Sequence, residues 1–353
     1  MGKIVKAGIV GFGYMGRFHL RKSRLCPEME VVAVYDVDKS KAGEARQEGL
    51  IATHSLEELL AMEELDLILV CTPNDSHKEI TIAALKAGKN VLCEKPATLS
   101  AAEAEEVVAV AEKMGRFYTI HQNRRWDHDY LQVKKVLEDK AIGNFTTINS
   151  WVYGQRGVCF GWRADPAKGG GMLYDWGVHL IDQILNLYPE HRVERVFGRL
   201  ESILTPAVDD FFEAKLFFDN GVCANVSVGT FSLQETPRWF IFGDRGTLKL
   251  DDFDELSGGM ARIRAQVTGF DSVFSRPNLG PSRTMAPLEP GFIEKLELLE
   301  VPEQPLEFYR NLIASVQGTE KPYVTHAEII RDMRMLDAII ESHKTKQVVT
   351  VNL

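Results

Sequence analysis

The sequence predicts an α/β chain of two domains: a parallel sheet wound with helices over residues 1–122, then an α+β domain built on an antiparallel sheet over residues 123–353. Three observations predict it. Apolar runs at 4–10, 30–35, 66–71 and 90–93 alternate with amphipathic stretches, the rhythm of a parallel sheet. A glycine-rich turn follows the first run. After residue 122 the rhythm changes to short strand-like runs joined by turn residues. At 353 residues the chain is too long for one small core and suits two domains of ordinary size.

The elements follow in order. The first run ends in a turn at Gly11, Gly13 and Gly16, and the second ends at Asp36. Three Ser-x-x-Glu pairs, Ser55 with Glu58, Ser76 with Glu79 and Ser100 with Glu103, mark helix starts, because the serine oxygen satisfies an exposed backbone donor. Phe117 to Ile120 reads as the sixth strand of the first sheet. Strand signals then run over 144–153, 195–204, 211–218, 222–232, 238–242 and 246–250, with helical periodicity only around 171–187. The turn signals Asp219-Asn220-Gly221 and Gly243-Asp244-Arg245-Gly246 join neighbouring strands, as an antiparallel sheet requires. Residues 251–300 show no period and read as irregular connections. Thr325 with Glu328 caps a last helix whose Ile329, Met333, Leu336 and Ile340 recur at helical spacing.

Composition removes several functions. A formal charge of −9 opposes the phosphate backbone of DNA or RNA, so no nucleic-acid partner is expected. The five cysteines, Cys26, Cys71, Cys93, Cys159 and Cys223, form no CxxC pair, so neither a disulfide framework nor a metal site is expected and a reducing cytoplasm fits. Glycines interrupt the apolar start of the chain, and no run is long enough to span a membrane, so no membrane association is expected.

The chemistry lies in four segments. Gly11-Phe12-Gly13-Tyr14-Met15-Gly16, between a strand and a helix, suits a tight turn that presents backbone N–H groups to a pyrophosphate. Asp36 lies 20 residues after Gly16, where a carboxylate accepts hydrogen bonds from an adenosine ribose and repels a 2′-phosphate. NAD is therefore favoured over NADP, although Lys39 and Lys41 follow closely. Thr72-Pro73-Asn74 and Glu94-Lys95-Pro96 terminate the strands at 66–71 and 90–93, at the sheet edge where a cofactor lies. His77 opens the next helix, as a surface residue or a cofactor contact. Gly169-Gly170-Gly171 precedes Asp175 and His179, whose Asp-x3-His spacing stacks both on one helical face as a base with an orienting carboxylate. Asp182 continues that face. The glycines admit either a close approach of backbone to ligand or a flexible turn.

In these segments the chain resembles the glucose-fructose oxidoreductase and inositol dehydrogenase family, Gfo/Idh/MocA. The resemblance rests on GFGYMG, Thr72-Pro73, Glu94-Lys95-Pro96 and GGGMLYDWGVHLID, and extends to HQNRRW at 121–126 and GWR at 161–163. It implies a Rossmann dinucleotide-binding domain followed by a large open antiparallel sheet, and hydride transfer between NAD(P) and a sugar, cyclitol or related polyol. It also implies a homodimer or homotetramer built through that sheet. Carried over, Lys95 bridges nicotinamide and substrate hydroxyl, His179 accepts the proton, and Asp175 positions substrate or histidine. Gln122, Asn123 and Arg163 reach the nicotinamide side, while Arg125, Tyr153 and Trp162 are candidate substrate contacts or domain-packing residues. Two alternatives use the same residues differently: a redox-neutral NAD-dependent glycoside hydrolase, and a nicotinamide-binding regulatory protein without chemistry.

Overall fold

The computed structural model describes residues 3–157, 159–253, 257–264 and 287–353. Its first sheet contains β1 (Val5–Val10), β2 (Met29–Tyr35), β3 (Ile51–Ala52), β4 (Leu67–Val70), β5 (Asn90–Cys93) and β6 (Tyr118–Ile120). All neighbours pair parallel, in the order β3-β2-β1-β4-β5-β6. Helices cover both faces of a parallel sheet, so its central strands are apolar throughout, and β4 is buried at every residue. The order reverses between β1 and β4, which opens a crevice at the carboxyl ends of the strands. At two residues, β3 is too short to leave a run in the sequence.

The connecting helices are α1 (Tyr14–Ser23), α2 (Lys41–Gln47), α3 (Leu56–Leu60), α4 (His77–Lys86) and α5 (Ala101–Met114). Ser55 and Ser100 cap α3 and α5 by accepting from the backbone of Glu58 and Glu103. Ser76 makes no such bond. Residues 74–76 form a 3₁₀ turn continuous with α4, so Ser76 has helical geometry, and its hydroxyl turns back to Thr72 and Pro73.

After α6 (His128–Glu138) the second sheet begins. Its strands are β7 (Phe145–Tyr153), β8 (Val193–Glu201), β9 (Phe211–Phe218), β10 (Cys223–Gly229), β11 (Trp239–Gly243), β12 (Gly246–Leu250), β13 (Gly258–Ile263), β14 (Ile293–Leu296) and β15 (Val349–Thr350). They lie in the order β14-β13-β12-β11-β7-β10-β9-β8-β15. The sheet is antiparallel except between β7 and β10, which run parallel, so it is mixed. β13 and β14 fall inside the segment read as irregular. Gly258 and Gly259, and the ion pair of Arg262 with Glu294, hide their alternation. Much of the remainder of 251–300 lies outside the described residues.

Helices α7 (Val178–Leu187) and α9 (His326–Thr345) pack on one face of this sheet. Gly198 of β8 makes that possible, because a Cβ there would stand 2.5 Å from the Ile339 carbonyl oxygen of α9. Thr325 and Glu328 form the expected capping box of α9. The C-terminal part, which includes α8 (Glu307–Val316), also returns to the first domain: Asp337 accepts from Ala101 N of α5 (2.9 Å) and Val324 O from Thr119 of β6 (2.9 Å). On the opposite face the register aligns Phe197, Phe240, Phe242 and Ile293. Three of these, Phe197, Phe242 and Ile293, are at least 36% exposed. Among the described residues, no helix is long and apolar enough to cross a membrane.

Candidate active site

A cleft of about 770 Å³ follows the carboxyl edge of the first sheet from Asp36 to Arg124. Its floor is the glycine turn. Gly11 has φ +93°, and a Cβ there would stand 2.6 Å from the Cys71 carbonyl oxygen. Gly16 packs against the same turn, where a Cβ would lie 2.3 Å from Gly11 O. Gly13 is the N-cap of α1 without any side-chain cap, and space above it is open. With Tyr14 and Met15 beside it on the cleft wall, the first turn of α1 offers uncapped N–H groups to an anion. Phe12 takes part only through its backbone: its N–H donates to Asp36 Oδ2 (2.6 Å), while its ring is buried. That bond, with Gly11 N to Tyr35 O (2.9 Å), fixes Asp36 beside the turn. These residues fit a dinucleotide.

Thr72, Pro73 and Asn74 line the next part of the cleft. His77, a candidate cofactor contact, does not reach it. The ring is fully buried, with Nδ1 facing Pro96 O (2.7 Å) and Nε2 facing Thr72 O (3.0 Å), so it ties the turn after β4 to the turn after β5. Glu94 is braced from behind by His19 Nε2 (2.9 Å) and His121 Nδ1 (2.8 Å), and Tyr309 donates to His19 Nδ1 (2.9 Å). Burial pushes the Glu94 carboxyl up, but the two histidines overcome it and hold it well below the usual range. His19, Glu94 and His121 have the composition of a metal site. Their separations are those of hydrogen bonds, and no local pattern announces the cluster because its members come from three distant segments.

The glycine triplet is a packing device. A Cβ at Gly170 would lie 2.4 Å from Arg163 O, and one at Gly171 (φ +105°) 2.0 Å from Asp209 Oδ1. The close approach is to protein atoms, not to a ligand. Asp209 accepts from Leu173 N (2.8 Å), starting a π-helical turn over Leu173–Gly177 that leads into α7. This turn alters the expected pairing of Asp175 with His179, and the two share no hydrogen bond among the described residues. Instead, Asp175 Oδ1 accepts from Lys95 Nζ (3.0 Å) and Oδ2 from Arg163 Nε (3.0 Å); the Asp175 carbonyl also accepts from Lys95 (2.6 Å). Burial acts against the charged form, but Lys95 and Arg163 keep Asp175 below the ordinary carboxylate value.

His179 is oriented by Gln122. Its Nδ1 lies 3.0 Å from Gln122 Oε1, an atom that only accepts, so Nδ1 carries the proton and Nε2 has the lone pair. Burial, then the charges of Lys95 and Arg124, push His179 well below its usual value, so the ring is neutral. Gln122 is buried behind it and approaches Asp332 Oδ2 (3.4 Å). Gln122 therefore lies behind the His179 ring and does not line the cleft.

Asn123, Trp162 and Arg163 line the cleft as expected, but Arg125 and Tyr153 lie outside it. Arg125 is buried against Asp182 (2.5 Å) and Glu328 (3.1 Å), locking the turn after β6 to α7 and α9. Tyr153 bonds Ser227 (2.8 Å) within the second sheet. Arg124 and Trp176, not singled out in the sequence, do line it, with the guanidinium carbon 4.1 Å from the indole centroid. Their signal was adjacency: each neighbours a residue that was selected.

Comparison with known proteins agrees with this geometry. Residues 5–122 match the model of an oxidoreductase family with an NAD-binding Rossmann fold, and residues 130–249 match the GFO/IDH/MocA C-terminal domain. A crystal structure of an NAD-binding protein from Listeria innocua superposes with TM-score 0.87 at 36% identity, covering 99% of this chain and 97% of that one. An uncharacterised oxidoreductase of Schizosaccharomyces pombe is 32% identical over 72% of this chain and 74% of its own. The scyllo-inositol 2-dehydrogenase (NADP(+)) IolW of Bacillus subtilis is 29% identical over 98% of this chain and 95% of its own.

Proposed function

The chain belongs to the Gfo/Idh/MocA oxidoreductase family, and from that premise we propose that it oxidises a secondary alcohol of a sugar, cyclitol or related polyol with NAD. The observation that carries the proposal is the convergence of Lys95, Asp175 and a neutral His179 on the end of the cleft beyond β5. Gly11, Gly13, Tyr14, Met15 and Asp36 would hold the dinucleotide, whose nicotinamide supplies the hydride acceptor when bound.

The protein's own residues handle the proton and the oxygen. His179 Nε2 takes the hydroxyl proton as the carbon–oxygen double bond forms. Lys95 gives two of its three N–H bonds to Asp175 and keeps the third for the reacting oxygen, where it stabilises developing negative charge. Asp175, shared with Arg163, fixes the ammonium without proton transfer of its own. The test is NADH formation across inositols, hexoses, amino sugars and sugar acids. Stoichiometric NADH with one class supports the proposal, and none with any class, despite NAD binding, opposes it.

Asp36 supports NAD over the NADP named for IolW, since its charge repels a 2′-phosphate. Asp36→Asn keeps an oxygen for Phe12 N–H and removes the charge. The ratio of kcat/KM for NADP to that for NAD should rise by about a hundredfold, the scale of one like-charge contact removed; an unchanged ratio would assign the preference elsewhere.

We also propose that the apolar sheet face bearing Phe197, Phe242 and Ile293 mediates self-association into a dimer or tetramer. Sedimentation at micromolar concentration should show an oligomer, and a monomer would contradict this.

A further inference from the structure

We propose that the polyol carries a carboxylate, bound by Arg124 together with Arg163; this rests on the dehydrogenase reading above. Both guanidinium groups line the cleft, and each lies over the ring of a tryptophan. Arg124 stacks on Trp176 (4.1 Å) and Arg163 on Trp162 (4.4 Å). Stacking holds the planar fork in one orientation and leaves its edge for hydrogen bonds. One nitrogen of each fork is engaged: Arg124 Nη1 with Asp127 (2.7 Å) and Arg163 Nε with Asp175 (3.0 Å). The remaining donors have no protein partner among the described residues, and the side chains are 26% and 39% exposed.

The counter-charges are incomplete. Asp175 is divided between Lys95 and Arg163. Asp127 stands behind Arg124, in the wall of a neighbouring cavity, and burial pushes its carboxyl up to about 6. Glu94 Oε1 is committed to two histidines. A chain of net charge −9 thus presents two partly unpaired guanidinium groups at the reacting end of its cleft.

The cofactor's own phosphates do not account for Arg124. The glycine turn follows β1 and Arg124 follows β6, three strands away in the order β1-β4-β5-β6. At about 4.8 Å per strand this separates them by roughly 14 Å. Arg163 is tied through Asp175 to Lys95, at the end of β5. Lys168, by contrast, pairs with Asp75 (3.6 Å) beside the turn after β4 and belongs to the cofactor side. Two planar forks suit the two in-plane oxygens of a carboxylate.

The test measures NADH formation from matched substrates: neutral aldoses, the corresponding uronic and aldonic acids, and the sugar phosphates. The acids should exceed their neutral counterparts in kcat/KM by roughly 30-fold or more, the scale of one desolvated charge pair. In Arg124→Gln, and separately in Arg163→Gln, that ratio should collapse toward one through a higher KM for the acid, with circular dichroism and an unchanged melting temperature confirming a folded protein. Equal use of neutral and acidic substrates overturns the inference while leaving the dehydrogenase reading intact. Preference for phosphates that depends on Arg124 overturns the carboxylate assignment. No NADH from any substrate, with NAD bound, sinks the dehydrogenase reading and this inference with it.

Discussion

His179→Ala should lower kcat by about 10²- to 10⁴-fold, the range for loss of a positioned general base, with NAD affinity unchanged. The ring sits at the reacting end of the cleft, away from the glycine turn, and Gln122 leaves its Nε2 lone pair as the proton acceptor. The pH profile carries the sign. A base whose value is pushed below that of an ordinary histidine stays neutral to lower pH. Oxidation by the unaltered protein should therefore hold its rate through pH 6.5, the ordinary histidine value, and fall only below it. A rate already falling on the alkaline side of that value would contradict the tautomer and charge assignment. So would a His179→Ala protein that turns over within a few-fold of the parent.

Lys95→Met should lower kcat/KM by about 10²- to 10³-fold, the cost of removing one donor from a developing oxyanion. Asp175 keeps Arg163 as a partner, so the π-helical turn is retained and the effect reads on chemistry. The variant has a second signature. Lys95 is one of the charges that depress His179, so its removal should move the acid limb of the remaining activity upward in pH. A simple loss of fold would lower the rate without moving that limb. Because Lys95 and His179 act on the same oxygen and its proton, the double variant should lose less than the product of the two single effects.

The parallel sheet was legible because its signals are local: apolar runs, capping serines and a glycine turn each act within a few residues. Ser76 misled for the same reason, since nothing in Ser-x-x-Glu reveals that a 3₁₀ turn already runs through it. The parallel pairing of β7 with β10 joins segments some 75 residues apart, and no local pattern announces it. Lys95, Asp175 and His179 could be singled out as reactive residues, but not their partners. The π-helical turn that swings Asp175 toward Lys95 depends on Asp209, a residue from another segment. The adjacent pair Arg124 and Arg125 shows the limit most clearly. A single 3₁₀ turn over Asn123–Trp126 sends Arg125 inward to Asp182 and leaves Arg124 in the cleft, a distinction that two identical side chains in sequence do not display.

The central claim, hydride transfer assisted by Lys95 and His179, is tested most directly by following deuterium from the carbinol carbon of a turned-over polyol. One deuterium recovered in the reduced nicotinamide, with one proton released to solvent, is the predicted result. Deuterium lost to solvent, or returned to an unoxidised sugar with no net reduced cofactor, would contradict it and point instead to the redox-neutral elimination chemistry.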